Sequence, residues 1–263
     1  PDILARVVAA KLAENLGQPT VVENHLGSNG NIAVEFVAKS PADGHTLLIC
    51  TDAQLAINPH VYARMGADPN KDLVPVASIA RQEFLLVVSP SFPAKTFAEF
   101  LEYARRANSP PFYGSAGNGS MSHLAMEMLK GRAGINLVHV PYKGGGSATV
   151  AALLGGEISA AFGGTAVAAQ IKSGKLRGVA VTGAARSAHY PDLPAISETL
   201  PGFEVVTWVG MFAPAATPVE AIARLQAEVA RFLALPEAKE KFNAAGGFEP
   251  WNTRPEEFSA AIR

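Results

Sequence analysis

The sequence predicts an α/β protein folded as two lobes, with a parallel-rich sheet in each lobe and a ligand cleft between them. Three observations carry this. Strand-like and helix-like patterns alternate along most of the 263 residues. The block from about residue 90 to about residue 205 holds enough of both to form an α/β unit by itself. The strands before that block lack covering helices, and helix patterns at the end of the chain would supply them. The first lobe is therefore discontinuous, residues 1–88 with 209–263, and residues 89–208 form the second. The chain crosses near Val88–Pro90 and again near Thr207–Gly210, and two crossings make a hinge.

Each element has its own signal. Pro1-Asp2 leads into an amphipathic helix with Ile3, Leu4, Val7, Val8 and Leu12 on one face and Gly17 as the stop. Asp2 suits its N-cap or first turn. An α/β chain more often opens on a strand, so a strand ahead of Pro1 is expected, along with any targeting signal. Thr20–Glu23 reads as a strand, Asn31–Lys39 as a helix and His45–Cys50 as a buried strand. Leu73–Ala80 and Phe84–Ser89 are further strands. Thr96–Asn108 is a helix, with Thr96 and Glu99 at capping-box spacing and Phe97, Phe100, Leu101 and Ala104 along one face. Then follow strand Phe112–Gly114, helix Ser122–Ala133, strand Leu137–Pro141, helix Ser147–Leu154, strand Ile158–Phe162, helix Ala166–Ser173 and strand Gly178–Thr182. A turn-rich stretch runs from Gly183 to Pro201. Strand Val205–Phe212 precedes helices near Pro218–Ala234, Pro236–Ala244 and Pro255–Ile262, each opened by a proline that suits a first helical turn.

Composition narrows the function. Apolar residues make up 48% of the chain and charged residues 17%, enough for a sizeable core. Lys and Arg number 22 against 23 Asp and Glu, a balance that argues against nucleic acid or an anionic membrane as the main partner. No apolar run approaches the roughly 18 residues of a membrane span. Cys50 is the single cysteine, which excludes an internal disulfide and a multi-cysteine metal site. It ends an apolar run and reads as a core residue.

In open α/β sheets, ligands gather at the carboxyl ends of strands. That rule selects Thr51-Asp52-Ala53-Gln54, the stretch Gly114-Ser115-Ala116-Gly117-Asn118-Gly119-Ser120-Met121-Ser122-His123, Pro141-Tyr142-Lys143-Gly144-Gly145-Gly146, and Gly163-Gly164-Thr165. The stretch after Phe112–Gly114 is the most informative. A glycine-rich turn into a helix offers free backbone N–H groups, the helix start adds partial positive charge, and Ser115, Asn118, Ser120 and Ser122 add side-chain donors. The result is an anion cradle with no basic side chain. Glycines also simply permit tight strand-to-helix turns, so the binding reading rests on several such loops lying at one edge.

Enzyme signatures are weak. Lys143-Gly144-Gly145-Gly146-Ser147 has phosphate-loop letters in the wrong order, and no serine sits in a glycine-x-serine-x-glycine elbow. Ser122 and His123 are adjacent on a helix start and point apart, against a dyad. His123 is better suited to a hydrogen bond with a neighbouring strand or a ligand. The histidines show no metal-ligand spacing, and no cofactor is implied. Tyr142 and Trp208 sit where an aromatic ring could wall a cleft or pack between lobes.

Several segments together resemble one family. They are Gly17-Gln18-Pro19-Thr20-Val21-Val22-Glu23-Asn24, Gly30-Asn31-Ile32-Ala33, Pro41-Ala42-Asp43-Gly44-His45-Thr46-Leu47-Leu48, Ile57-Asn58-Pro59, Tyr113 to His123, Val138-His139-Val140-Pro141-Tyr142-Lys143-Gly144-Gly145, Gly174-Lys175-Leu176-Arg177 and Thr253-Arg254-Pro255-Glu256-Glu257-Phe258. In order and spacing, across essentially the whole chain, they resemble the substrate-binding proteins of tripartite tricarboxylate transporters, the Bug family. The resemblance implies a periplasmic, two-lobed Venus-flytrap binding protein that acts as a monomer without catalysis. It implies capture of a small organic carboxylate and delivery to a two-component membrane permease. It places ligand contacts at Thr51, Asp52, Ala53, Ser115, Asn118, Gly119, Ser120, Tyr142, Gly163, Gly164 and Thr165. The same scaffold could instead serve a membrane sensor or carry an enzyme.

The chain departs from the family pattern at three places. The strand and Pro-Gly-Gly loop that usually precede the residue matching Asp2 do not stand within these residues and are expected ahead of Pro1. Asp52 stands where the family usually has a small or neutral residue; it would repel a carboxylate unless turned away, protonated or paired, or it would recognise a ligand amine. Gly163-Gly164 replaces a pair that is often polar, which would leave room for a bulkier or less polar ligand.

Overall fold

The structure is a computed structural model that describes residues 1–143, 145–245 and 247–262, with the side chains of 145, 165 and 166 outside the description. In chain order its elements are α1 (Asp2–Leu16), α2 (Asn31–Ala38), β1 (Leu48–Thr51), α3 (Asn58–Val61), α4 (Pro69–Asp72), β2 (Leu73–Glu83), β3 (Leu85–Val88), α5 (Phe97–Arg106), β4 (Phe112–Ser115), α6 (Met121–Ala133), β5 (Val138–Pro141), α7 (Gly145–Gly155), β6 (Ala160–Gly163), α8 (Thr165–Lys172), β7 (Arg177–Val181), β8 (Val206–Pro214), α9 (Val219–Leu233), α10 (Pro236–Ala244), β9 (Glu249–Pro250) and α11 (Pro255–Ile262). The chain divides into two compact units, Pro1–Arg81 with Trp208–Arg263, and Gln82–Thr207.

The first crossing therefore falls at Arg81/Gln82 and not after Val88. The reason is pairing: β3 lies between β6 and β7 in the second sheet, with Leu86 opposite Phe162 and Ala180. A strand joins the body that satisfies its backbone groups.

The sheet of the first unit runs β1-β8-β2-β9. One face of its core joins Leu4, Val8 and Leu12 of α1 to Val76 and Ile79 of β2 and to Val229 and Phe232 of α9. The other joins Val34 and Val37 of α2 to Leu48, Trp208, Phe212 and Phe258. Helices on both faces explain why β2 and β8 read as nearly continuous apolar runs. Within α1, Ile3 lies off the predicted face and is exposed, while Leu4, Val8 and Leu12 are buried. Gly17 ends the helix in the left-handed region, φ 66°, and its N–H returns to the Ala13 carbonyl.

Two expectations change here. The pairings of β1 with β8 and of β2 with β9 are antiparallel, so strand directions in this sheet are not those that alternation predicts. Thr20–Glu23 forms no strand, and Val21 is 79% exposed. β-branched residues permit extension, but a strand needs a partner edge, and among the described residues none pairs with this segment.

The sheet of the second unit runs β5-β4-β6-β3-β7. β4 is parallel to β5 and to β6, whereas β3 is antiparallel to β6 and β7. Alternation along β3 covers both faces: Leu86 and Val88 pack with Phe100, Tyr113 and Met126, while Leu85 and Val87 pack with Val150, Leu153 and Val167. Thr96 caps α5 by accepting the Glu99 N–H at 3.2 Å, as its spacing predicts.

Candidate functional site

Because β4, β5 and β6 are parallel, their carboxyl ends share one edge of the second unit. Just beyond it begin α6 at Met121, α7 at Gly145 and α8 at Thr165. Helix N-termini carry about half a positive charge each. The sheet thus directs several partial positive charges to one edge, where Lys143 also stands in the turn between β5 and α7.

The loop between β4 and α6 differs from the open cradle that its letters suggest. Most of its amides are already used. The Gly117 N–H donates to Ser115 Oγ at 3.1 Å, the Ala116 N–H to Ser122 Oγ at 3.2 Å, the Gly119 N–H to His123 Nδ1 at 3.2 Å and the Ser120 N–H to the Gly117 carbonyl at 3.2 Å. Ser120 also caps α6, accepting the His123 N–H at 3.3 Å while its hydroxyl donates to the Gly117 carbonyl at 2.7 Å. The hydroxyls of Ser115, Ser120 and Ser122 therefore hold the loop's shape. Gly117 at φ 120° and Gly119 at φ 74° supply backbone conformations that a side chain would strain. Asn118, exposed at the tip, makes none of these internal bonds.

Beneath the loop lies a polar column that sequence reading missed. Ser115 Oγ and His139 Nε2 are 2.6 Å apart. His139 stacks between Tyr113, at 4.9 Å between ring centroids, and His123, at 4.1 Å. The Tyr113 hydroxyl donates to Glu127 Oε1 at 2.6 Å, and Lys130 donates to the same oxygen at 2.7 Å. Burial, and then the Glu127 carboxylate, hold the Tyr113 phenol well above its usual range. Burial, and then the neighbouring His123, lower the His139 pKa. Ser115 and His139 have the separation of a nucleophile and its base, but Ser115 is 0% exposed and its other partner is Gly117. The pair braces the loop; it does not present a nucleophile.

The other loops of this unit are equally defined. The Tyr142 N–H donates to the Ser115 carbonyl at 3.0 Å, and its hydroxyl reaches Glu157 Oε2 at 3.3 Å, which ties the β5 end to the β4 end. Gly144 lies outside the described residues, as does the Thr165 side chain. The positions that side chains on Gly163 and Gly164 would take are already filled. A Cβ on Gly163 would come within 2.5 Å of Val167 Cγ1, and one on Gly164 within 2.4 Å of Gln82 Oε1. The side chains that sequence reading expected a ligand to replace are replaced by the protein's own packing. A small pocket of about 170 Å³ opens beside them, lined by Gln82, Phe84, Thr149, Phe162 and Val167 with these glycines.

In the first unit, the end of β1 is held by an amide network. The Thr51 N–H and hydroxyl both donate to Gln54 Oε1, at 2.9 and 3.0 Å, and Gln54 Nε2 donates to the Asn29 carbonyl at 2.6 Å. Asn58 Nδ2 donates to Asn31 Oδ1 at 2.6 Å and Asn29 Nδ2 to Asn58 Oδ1 at 2.8 Å. The segments Gly30-Asn31 and Ile57-Asn58-Pro59, far apart in sequence, are thus joined side chain to side chain. Ala53 and Asp52 are buried, Asp52 at 4% exposure. Trp208 packs among Phe212, Trp251 and Phe258 in the core of this unit. Asp2 is a first-turn acid that accepts from Arg6 at 3.0 Å and Asn24 at 2.7 Å.

These features define a solute-binding protein of the two-unit α/β type. The chain matches the description "Tripartite tricarboxylate transporter family receptor" over residues 4–262 and belongs to that family. It is 36% identical over 248 residues to a Pseudomonas sp. (strain P51) protein described as "UPF0065 protein in tcbD-tcbE intergenic region", covering 93% of this chain and 73% of the relative. Among solved structures, an R. palustris protein with adipate superimposes with a TM-score of 0.91 at 37% identity, covering 99% of this chain and 87% of the other. MatC from Rhodopseudomonas palustris with bound malate gives 0.83 at 29%, covering 99% and 88%. Further neighbours are described as a periplasmic transporter and the periplasmic binding protein BugD.

Proposed function

We propose that this chain captures a small organic carboxylate in the periplasm and delivers it unchanged, as a monomer, to a two-component membrane permease. The observation that carries the reading is the convergence of the α6, α7 and α8 N-termini at the carboxyl ends of three parallel strands. Such an edge favours an anion. The adipate and malate held by structural neighbours give the same chemistry. No helix is long and apolar enough to cross a membrane among the described residues.

Ligand contacts are proposed at Ser115, Asn118, Gly119, Ser120, Tyr142, Gly163, Gly164 and Thr165 of the second unit and at Thr51, Asp52 and Ala53 of the first. Within the β4–α6 loop, Asn118 is the side chain best placed to meet a ligand, because Ser115 and Ser120 are committed to the loop. Isothermal titration with a panel of organic acids tests the reading. Asn118→Ala is expected to weaken the best binder while leaving the melting temperature unchanged. Unchanged affinity would remove this loop from the site, and a panel without any binder would remove carboxylate capture.

A further inference from the structure

His123, the third residue of α6, joins the glycine-rich loop to the polar column beneath it. Its Nδ1 accepts the Gly119 N–H at 3.2 Å, which occupies the amide that follows Asn118 at the loop tip. An imidazole nitrogen that accepts a hydrogen bond carries no proton, so in this arrangement the ring holds its one proton on Nε2. A second proton would set Nδ1–H against the Gly119 N–H, two donors with no acceptor between them. A carboxylate oxygen placed there accepts from both. One internal bond is then exchanged for two charge-assisted ones. The loop thus couples anion and proton, because each makes a place for the other.

The surroundings select this ring over its neighbour. His139 on β5 faces it at 4.1 Å, and burial, then charge on His123, lower the His139 pKa. The His139 Nε2 is also engaged with Ser115 Oγ. Glu127, one turn further along α6, is the carboxylate nearby, and it accepts from Lys130 and from the Tyr113 hydroxyl. Of the strands packed against α6, β4 brings Tyr113 as its titratable residue and β6, Ala160–Gly163, brings none. Lys143 is the basic side chain in the turn between β5 and α7.

We propose that His123 is a proton-coupled ligand residue of the carboxylate site: capture of the anion takes up one proton on Nδ1, and Nδ1–H and the released Gly119 N–H donate to one carboxylate oxygen. The proposal rests on the carboxylate-binding reading above and adds a titrating residue to it. The proton comes from the buffer and returns to it when the acid leaves. One carboxylate charge is therefore met by one acquired positive charge.

The experiment is calorimetry on the whole chain with adipate, malate and benzoate at pH 7, each acid run in two buffers of different ionisation enthalpy. The heats are expected to differ as uptake of up to about one proton per bound acid requires. From pH 7.5 to pH 6.5 the affinity is expected to rise, by at most about tenfold for a single linked proton. Equal heats in the two buffers with a flat affinity, or proton release on binding, would overturn the proposal and leave carboxylate capture intact. Binding of none of the three acids overturns both. His123→Asn offers the Gly119 N–H an acceptor oxygen but takes up no proton. It is expected to weaken binding and to abolish both the buffer dependence and the pH dependence. Proton uptake that persists in this variant would place the titrating group elsewhere and overturn the assignment.

Discussion

His123, in the first turn of α6, lies face to face with His139 on β5, their ring centroids 4.1 Å apart and their planes within 18° of parallel. Each ring also braces the glycine-rich loop: the Gly119 N–H donates to His123 Nδ1, and Ser115 Oγ bonds His139 Nε2. The first of these bonds needs the lone pair on Nδ1. Charge on the neighbouring ring at this distance opposes protonation of His139, so the stack suits its neutral form.

This gives the fold a pH dependence with a defined sign. Burial and then His123 lower the His139 pKa; Glu127 opposes the shift and Lys130 adds to it. Above the ordinary value near 6.5 the residue is neutral in both folded and unfolded chains and contributes no slope. Below that value the unfolded chain takes up a proton that the folded ring resists, so stability falls with falling pH until His139 is protonated within the fold. One proton gives a slope of at most about 1.4 kcal/mol per pH unit. Urea titrations from pH 8 to pH 5 should show His139→Gln losing part of the acid-side slope. Parallel curves for parent and variant would show that the stack is not a proton sink.

Ser115 is a second point of leverage. Its hydroxyl links the Gly117 amide, the Gly117 carbonyl and the His139 ring within a fully buried site. Ser115→Ala leaves these groups without their partner, at about 1–3 kcal/mol for a buried group left unsatisfied. For a chain of this size about 2–4 °C is lost per kcal/mol. Scanning calorimetry should therefore find the melting temperature lowered by several degrees. A shift within 1 °C would mean that water or a rotated neighbour replaces the hydroxyl, on the same scale.

The sequence made the second unit more legible than its site. Strand and helix patterns there follow from short-range periodicity, and Leu85-Leu86-Val87-Val88 announces a strand buried on both faces. Thr20–Glu23 carries a similar local signal yet forms no strand, because pairing depends on a neighbour that periodicity cannot supply. The loop letters showed which groups could bond, but not that Ser115, Ser120 and Ser122 turn inward to bond the loop itself. The histidine stack depends on register: Tyr113 is the direct partner of His139 across β4 and β5, and α6 then lays His123 on the other side of that ring. That relation spans 26 residues, from Tyr113 to His139, and leaves no short-range motif. At Gly163-Gly164 the missing side chains are visible in sequence, whereas Val167 and Gln82, which stand where a Cβ would point, are not.

Gly210 tests the packing of the first unit. A Cβ there would come within 2.3 Å of Phe258 Cζ and 3.0 Å of Phe212 Cε2. Phe258 has little freedom to withdraw, since its ring meets Trp208 at 5.5 Å and both Phe212 and Trp251 at 5.6 Å. Gly210→Ala is expected to destabilise by about 1–3 kcal/mol, the usual cost of overpacking, despite the entropy that alanine saves in the unfolded chain. Adding Phe258→Leu should restore part of that loss, so that the double variant is more stable than the sum of the single changes predicts. Simple additivity in urea titration would show that the two positions do not compete for space.

Cys50 reports on the integrity of the same core. It is 4% exposed on β1, and burial, followed by the nearby Asp52 carboxylate, pushes its thiol far above the usual range. Thiolate is the reactive species, so both access and ionisation oppose modification. The native chain at pH 8 is expected to leave a thiol-specific disulfide reagent almost unreacted, while the chain in denaturant releases one equivalent promptly. Labelling must then proceed through opening of the fold, and its rate should rise with added urea in step with the local opening equilibrium. Asp52→Asn removes the smaller of the two causes and leaves burial in place, so native labelling should remain slow. Rapid labelling of that variant in the absence of denaturant would show that the carboxylate, and not the enclosure of β1 by Val34, Leu55 and Phe212, is what protects the thiol.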